Sequence, residues 1–394
     1  MNVLVLTENV FPDVTGGSGR VVTQTCKGLV KSGHHVHVIT RLINGSQLEE
    51  EREEGIRISR YRVSRFVWNT LHSVSRSIRA ASRDTAFDIV SIHQPFPGLV
   101  GVRSRPLRGV PKIRTFHGPW HEEYRVSMSG EPNIFCRLKL KIGTILRRCA
   151  DAYVLSRVDM VRVLSNYAAR MACEICPSCS QRTRIIPGGV DAESFRPPTD
   201  KKAVRKQLDL PEDRQIIFTV RNLTRRMGLD TLIEAMRDVR RRIHGALLII
   251  GGQGAMRAEL EEQIDRSGLI EHVRLAGRIP DEDLPLYYQS ADLFVLPTRD
   301  LEGFGLVTLE AMASGLPVLA TPQGGSIELL EQFGRECLFS GTSALEIGEK
   351  IVETLSSREK LRDLGHKVRR AAVEQYSWNR QVDELEALFN ELSG

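Results

Sequence analysis

The sequence has no long hydrophobic run and no segment with the features of a secretory signal. None of its apolar stretches reaches the roughly 18 uninterrupted residues that a membrane-spanning helix requires. Residues 1–7 (MNVLVLT) have no basic segment before the apolar run and no small-residue cleavage site after it, so they predict a buried first strand. We therefore expect a cytoplasmic protein.

Cysteine is also scarce, and the excess of positive charge is small. Seven cysteines, an odd number, favour reduced thiols over a disulfide framework. A net charge of +6 and a pI near 9.0 suggest acidic partners, without choosing among phosphates, anionic lipid and nucleic acid. A hydrophobic content of 41% excludes a disordered chain.

The 394 residues exceed what one compact core usually supports, so we expect two domains of roughly 200 residues or fewer. Short apolar runs alternate with longer amphipathic stretches, which is typical of βαβ units in a parallel sheet covered by helices. The predicted strands are residues 3–6, 35–40, 89–92, 112–116, 152–155 and 184–186, then 216–220, 246–250, 272–275, 293–296 and 317–320. The sequence thus predicts an α/β protein with two doubly wound, Rossmann-like parallel sheets.

The boundary between the two domains is predicted from composition. Residues 195–214 are polar and contain prolines, as interdomain connections often are. We place the boundary near Pro198, so that residues 1–198 form the first domain and residues 199–375 the second. Residues 376–394 are amphipathic and predict a C-terminal helix that packs back toward the first domain.

One loop of the second half carries the strongest signal for a site. Ligands of open parallel sheets bind beyond the carboxyl ends of the strands, so we expect the site in the crevice between two facing sheets. After the strand at 293–296, Glu302, Gly303 and Gly305 precede a predicted helix that contains Glu310. Glycine lets the backbone approach a ligand closely, and the free amides at a helix start favour a phosphate. Glu310 lies about two turns into that helix, where it can accept hydrogen bonds from vicinal ribose hydroxyls.

This run, EGFGLVTLE, closely resembles the E-x7-E signature of the retaining glycosyltransferases of family GT4, also called group 1, whose fold is GT-B. The resemblance implies transfer of a hexose-type sugar from a UDP- or GDP-sugar with retention of configuration. It implies that Glu302 contacts the donor sugar and that Glu310 holds the ribose. The backbone amides that it places beside the sugar and diphosphate are those of Gly303, Phe304, Gly305, Leu306 and Val307.

Other segments resemble the same family and extend the likeness over most of the chain. Gly277 and Arg278, in LAGRIPDEDLPLYYQSADLFVLP, match the region whose backbone contacts the nucleobase of the donor. Gly16 and Gly17 match the loop after the first strand that closes over the donor. His117, in TFHGPW, matches an active-site histidine near the transferred sugar.

One motif departs from the family pattern. The family carries Gly-Arg-Leu-x3-Lys-Gly after the first strand of the second domain, and its two cations neutralise the donor diphosphate. Here the run is FTVRNLTRRMGLD. Alignment on Gly228 without a gap puts Asn222 and Met227 at the cationic positions, whereas one extra residue before Gly228 puts Arg221 and Arg226 there.

We favour the shifted alignment because a leaving diphosphate needs fixed positive charge and a guanidinium gives bidentate contact to phosphate oxygens. Arg225 is the rival of Arg226 for the second position. The implied mechanism stabilises the leaving group without a metal ion, and Glu302 orients the sugar rather than attacking it. The nucleotide-sugar is a co-substrate, and no separate cofactor is implied.

Two other features have alternative interpretations. Cys173, Cys176 and Cys179 form CEICPSC, a spacing found in zinc and iron–sulfur sites, but no fourth ligand is evident and we predict free thiols. Residues 65–83 and 136–148 are basic and partly amphipathic. We predict core-facing helices with a solvated cationic side. In the alternative, these helices contact the inner membrane surface and the acceptor is lipid-linked rather than a glycan or small molecule.

Three other classes of function remain open. A nucleotide-sugar epimerase or a phosphorylase can share the two-sheet plan, and a sugar- or nucleotide-binding module can keep the fold without turnover. The pair of Glu302 and Glu310 disfavours a loss of catalytic turnover, whereas the altered segment around Arg221 leaves that possibility open. A nucleic-acid partner is not expected, since the sequence has no recognised binding motif.

Overall fold

The computed structural model describes residues 1–8, 16–43, 49–127 and 134–393, without the side chains of residues 127 and 134–136. The chain divides into two compact units. The first unit consists of Met1–Gly188 and Trp378–Gly394, and the second of Gly189–Ser377. Each unit contains one sheet of mainly parallel strands with helices packed against it, as the alternation of apolar runs predicts.

The first unit is built on an eight-stranded sheet of order β3-β4-β2-β1-β5-β6-β7-β8, parallel except for β3. Its strands are β1 (Asn2–Leu6), β2 (His35–Arg41), β3 (Glu50–Glu53), β4 (Ile56–Tyr61), β5 (Ile89–Ile92), β6 (Lys112–Phe116), β7 (Met160–Val163) and β8 (Thr183–Ile185). Its first six helices are α1 (Gly17–Lys31), α2 (Val67–Asp84), α3 (Pro95–Gly101), α4 (Trp120–Ser127), α5 (Ile134–Leu155) and α6 (Asn166–Ile175).

Both faces of this sheet are buried, because parallel strands need cover on each side. On one face, Val74 and Ile78 of α2 and Val154 of α5 join side chains of the central strands in one apolar cluster. On the other face, Val22 and Leu29 of α1 lie in a second cluster.

Part of the first sheet was not predicted. The apolar run at 152–155, predicted as a strand, is the last turn of α5, in which Val154 and Leu155 face the core. The strand lies five residues further on, at β7. The hairpin of β3 and β4 turns through Glu54 and Gly55, both with positive φ. Its edge strand, EERE, is too polar to show the apolar signal of a buried strand.

The second unit is built on a five-stranded parallel sheet of order β11-β10-β9-β12-β13. Its strands are β9 (Gln215–Val220), β10 (Ala246–Gly251), β11 (Val273–Gly277), β12 (Leu293–Leu296) and β13 (Val318–Ala320). Its helices are α7 (Lys201–Gln207), α8 (Leu229–Arg242), α9 (Arg257–Arg266), α10 (Leu284–Ser290), α11 (Leu306–Ala313), α12 (Ser326–Leu330), α13 (Ala344–Leu355) and α14 (Arg358–Gln375). Short 3-10 turns are Arg105–Leu107 and Pro177–Arg182 in the first unit, and Arg225–Met227 and Glu331–Glu336 in the second.

The second unit starts at Gly189, before the boundary predicted near Pro198. The amide of Val190 donates to the carbonyl of Tyr376 at 3.0 Å, and the ring of Phe195 packs edge-on against Tyr288. The polar stretch 195–214 is not an open linker either. It contains α7, whose buried Arg205 pairs with Asp292 at 2.7 Å. Composition alone gave no sign of these contacts, because their partners lie far along the sequence.

The last helix, α15 (Trp378–Ser393), belongs to the first unit and packs on α1. Its Val382, Leu385 and Phe389 are buried in the same cluster as Leu29. Gly28 allows the two helices to approach, since a Cβ at that position would lie 2.3 Å from a methyl group of Val382. Within the described part of the chain, no helix is both long and apolar enough to cross a membrane.

Candidate functional site

The loops at the carboxyl edge of the second sheet converge around Glu302. This residue follows β12, and its carbonyl accepts a hydrogen bond from the amide of Gly325, which follows β13, at 2.6 Å. Gly324 has a positive φ of 73°, and a Cβ there would lie 2.6 Å from the Cβ of Glu302. Glycine is therefore required at position 324, after β13, to let the two loops meet.

Arg221, at the end of β9, is paired with this acidic residue. Its Nη2 donates to a carboxylate oxygen of Glu302, and both residues are less than 10% exposed. The same Nη2 lies 2.7 Å from the sulfur of Met227. The structure thus brings Arg221 to Glu302, whereas Asn222, the residue of the ungapped alignment, is exposed.

The two following arginines point to different places. Nη1 of Arg226 donates to the carbonyl of Leu301 at 2.7 Å, beside Glu302. Arg225 is exposed and pairs with Glu259 of α9 at 3.0 Å. Of the two candidates left open by the sequence, Arg226 is therefore the one held against the loop that follows β12.

The glycine turn before α11 is fixed by close packing. Gly305 is the N-cap of the helix with a φ of 92°, and a Cβ there would lie 2.1 Å from Oγ of Ser326. Phe304 is buried and packs edge-on against the ring of Tyr376. Leu306 and Val307 are the first residues of α11, where backbone amides have no partner within the helix. Gly303 lies in the turn between Glu302 and this helix start.

Glu310 lies on the buried side of α11. It is 3% exposed, and the hydroxyl of Tyr288 donates to its Oε2 at 2.9 Å. Tyr288 is held in turn by ring contacts with Phe218 of β9 and Phe294 of β12. The sequence signalled the carboxylate through its spacing but gave no indication of this tyrosine.

The loops after β10 and β11 support the segment that carries Arg221. The amide of Arg221 donates to the carbonyl of Gly251 at 2.9 Å. Gly252 has a φ of 124°, and a Cβ there would lie 1.8 Å from the carbonyl oxygen of Arg221. Its amide donates to the carbonyl of Gly277 at 2.6 Å, and Arg278 beyond it is exposed. The GGQG segment is therefore a support for the neighbouring loop.

The remaining predicted residues lie in the first unit. Gly16 caps α1 with a φ of 139°, and Gly17 is the first residue of that helix. Both are exposed, and the rest of their loop, residues 9–15, lies outside the described residues. His117 follows β6, with its Nε2 3.0 Å from Nδ1 of the buried His93. Burial, with Arg114 and Arg162 nearby, lowers the pKa of His117 to about 3.

The cysteine run forms no metal centre in the described part of the chain, where no group of three or more His, Cys, Asp or Glu side chains has a suitable arrangement. Cys173 and Cys176 lie at the end of α6, and Cys179 lies in the following 3-10 turn. All three are free thiols. Burial raises the pKa of Cys179 to about 11.

Two units of this kind, each with one sheet of mainly parallel strands covered by helices, are the architecture of the GT-B class. Two family models match the chain: "Glycosyltransferase Family 4" over residues 15–194 and "Glycosyl transferases group 1" over residues 200–371. Together they span most of it. The chain belongs to the glycosyltransferases of family 4.

Among curated relatives, a GDP-mannose-dependent alpha-(1-6)-phosphatidylinositol monomannoside mannosyltransferase of Mycobacterium tuberculosis is 32% identical over 250 residues. That alignment covers 61% of this chain and 63% of the relative, which is less than two thirds of its length. A D-inositol 3-phosphate glycosyltransferase of Corynebacterium aurimucosum is 24% identical over 95% of this chain and 90% of the relative.

Solved structures show the same fold. Sucrose-phosphate synthase from Thermosynechococcus elongatus superposes with a TM-score of 0.82 at 24% identity, covering 99% of this chain and 98% of that one. The HepE protein of Anabaena, in complex with UDP and glucose, superposes with a TM-score of 0.81 at 18% identity, covering 99% and 100%. At these identities the likeness shows the GT-B fold alone.

Proposed function

We propose that this chain transfers a hexose from a nucleotide-sugar donor to a hydroxyl group of an acceptor, with retention of configuration and without a metal ion. The observation that carries the proposal is the buried pair of Arg221 and Glu302 beside the glycine turn of α11. Arg226 donates to the carbonyl of Leu301 in the loop before α11, and Glu310 lies in α11 itself. The nucleotide-sugar is consumed as a co-substrate, so no separate cofactor takes part.

The proposed catalytic contribution of this site is stabilisation of the leaving group. The bond between the anomeric carbon and the β-phosphate oxygen breaks, and the diphosphate leaves with the electron pair. The acceptor oxygen bonds to the anomeric carbon, and its hydroxyl proton passes to the departing diphosphate. Arg221, Arg226 and the first amides of α11 meet the growing negative charge. Glu302 holds a hydroxyl of the sugar, while Arg221 keeps its carboxylate in place through their hydrogen bond. His117 is the proposed histidine contact of the transferred sugar.

The donor is proposed to be a GDP- or UDP-hexose, with GDP-mannose as the first candidate. The mycobacterial relative is named as GDP-mannose-dependent, and the HepE structure holds UDP and glucose. Glu310 would bind the ribose, and the backbone at Gly277 and Arg278 the base. Arg225 would make only a peripheral contact with the donor, since its side chain is paired with Glu259.

Glu310→Ala is expected to weaken binding of the nucleoside diphosphate and of the donor by roughly tenfold or more. Hydrogen bonds to a charged group contribute about 1.5–3 kcal/mol each, and the ribose would lose its carboxylate acceptor. Isothermal titration with GDP and UDP measures the change. Glu353→Ala is the control, because Glu353 is an exposed glutamate of the same unit, on α13. Equal affinities in the Glu310 variant and the unaltered chain would contradict the assignment.

The function itself is tested by a screen of nucleotide-sugars. Donors that bind should raise the Tm, and incubation with candidate acceptors should yield a glycosylated product together with one free nucleoside diphosphate. Nucleotide release that needs an acceptor supports transfer and argues against an epimerase. Release that needs only phosphate, or a changed sugar without release, would replace the proposal by a phosphorylase or an epimerase. Binding without any turnover would mark an inactive sugar-binding module.

We propose a lipid-linked acceptor at an anionic membrane surface, because α5 exposes an apolar stripe. Leu138, Ile142, Ile145 and Leu146 are each between 50% and 64% exposed and follow helical spacing. Basic residues flank the stripe at positions 137, 139, 141 and 148. Trp68, near the start of α2, is 81% exposed. An exposed apolar stripe flanked by cations fits the interface of an anionic bilayer.

The double substitution Ile142→Ser with Leu146→Ser is expected to lower the affinity for anionic phospholipid vesicles by about tenfold or more. Both side chains are exposed, so the Tm should change little. Leu345→Ser is a matched control, because Leu345 is also exposed but lies in the second unit. Vesicle flotation measures binding. Equal flotation of all three proteins would show that the stripe of α5 is not the membrane contact, and no flotation of the unaltered chain would contradict binding to this membrane.

A further inference from the structure

His93 and His117 lie side by side at the carboxyl ends of two neighbouring strands, β5 and β6. Nδ1 of His93 is 3.0 Å from Nε2 of His117, and the rings are inclined by 24° with centroids 5.3 Å apart. On its other side, Nε2 of His93 is 3.1 Å from Oγ of Ser91. The three side chains form one hydrogen-bonded row with His93 in the middle, 2% exposed.

Both imidazoles of this row are neutral near pH 7. Burial lowers the pKa of His117 to about 3. Burial, the neighbouring His117 and the guanidinium groups of Arg162 and Arg114 hold the pKa of His93 well below its ordinary value. A neutral imidazole carries one N–H and one acceptor nitrogen, so each ring donates on one side only. The hydrogen bonds of the row can therefore point, from donor to acceptor, in one of two directions.

The buried serine selects the direction. If the row runs outward, Ser91 donates to Nε2 of His93, and Nδ1–H of His93 donates to Nε2 of His117. If it runs inward, the hydroxyl hydrogen of Ser91 needs a second acceptor. Among the described residues, Oγ of Ser91 has no hydrogen-bond partner except His93, and Ser91 is 5% exposed. A buried hydroxyl hydrogen without an acceptor costs free energy, so the outward direction is favoured.

In the outward direction, Nε2 of His117 is an acceptor and its single hydrogen lies on Nδ1. No described residue forms a hydrogen bond with that nitrogen, which is therefore available to a ligand. We propose that His93, oriented by Ser91, is a positioning residue that fixes His117 as a hydrogen-bond donor at Nδ1 toward an oxygen of the transferred sugar. The inference rests on the proposed function, in which His117 acts on that sugar.

The first test is made on the unaltered full chain and needs no variant. Long-range proton–nitrogen correlation spectra of histidine-labelled protein at pH 7 distinguish a protonated ring nitrogen from an unprotonated one. We expect His117 and His93 both to carry hydrogen on Nδ1. A hydrogen on Nε2 of His117 would overturn the inference.

The second test compares two variants of the middle residue. The side-chain amide of Asn can donate from the place of Nδ1, so His93→Asn should keep the hydrogen of His117 on Nδ1 and kcat within about threefold of the unaltered chain. His93→Leu removes the donor, and kcat should fall by about 100-fold with little change in the KM of the donor. Equal kcat values for the two variants would overturn the inference.

His37→Leu is the matched control for loss of a buried histidine. His37 is 5% exposed and bonded through Nε2 to a serine, Ser59, at 2.8 Å, but it lies on β2. The His37→Leu variant should have a lower Tm, but its kcat should not show the fall of about 100-fold expected for His93→Leu. If the unaltered chain transfers no sugar, the proposed function fails, and the spectra still decide which nitrogen of His117 is protonated.

Discussion

Arg226→Ala is expected to lower kcat for sugar transfer by about 10²- to 10³-fold, while the Kd of the donor rises by less than about tenfold. The charge on the diphosphate grows as the glycosidic bond breaks, so a fixed cation stabilises the transition state more than the bound donor. The hydrogen bond from Arg226 to the carbonyl of Leu301 holds this side chain against the loop that follows β12. Steady-state kinetics and donor titration measure the two quantities separately.

Arg225→Ala is the matched control for this result. Arg225 is the adjacent arginine, but it is exposed and paired with Glu259, so its removal should change kcat by less than about threefold. Arg226→Lys keeps the charge and loses bidentate contact, and we expect an intermediate kcat. If Arg225→Ala lowers kcat as much as Arg226→Ala does, the assignment of the second cation is wrong.

Gly252→Ala is expected to lower the free energy of unfolding by about 3 kcal/mol or more and to abolish measurable donor binding. The backbone at Gly252 has a φ of 124°, which residues with a side chain rarely adopt. The new Cβ would also lie 1.8 Å from the carbonyl oxygen of Arg221. Relief of this clash has to displace either the loop after β10 or the loop that carries Arg221. Because Arg221 pairs with Glu302, the displacement would reach the proposed site.

Gly245→Ala tests whether this effect is specific. Gly245 precedes the same strand, β10, but a Cβ there has no heavy atom within 4 Å and its φ is not in the left-handed region. Its free energy of unfolding should change by less than about 1 kcal/mol. Chemical denaturation and donor titration measure both variants. A Gly252→Ala protein as stable and as able to bind donor as Gly245→Ala would contradict the close approach.

The two sheets and the main loop of the site could be predicted because their signals are local. Buried parallel strands appear as short apolar runs, and ten of the eleven predicted segments coincide with strands. The exception, 152–155, shows the limit of this signal, since a short apolar run also suits the last turn of a buried helix. The polar strand β3 gave no such signal. The roles of the site residues stay predictions, although Arg221 does lie against Glu302.

By itself, the sequence determined the class of fold and the contiguous glycine turn with its two glutamates, because periodicity and a motif on one segment need no distant partner. The tertiary structure alone decided which arginine faces Glu302, that Tyr288 contacts Glu310, and that His93 contacts His117. In the tertiary structure the second unit begins at Gly189, whereas composition predicts a boundary near Pro198. Each of these depends on groups that the sheets bring together from separate strands or loops, and no local pattern encodes such a distance.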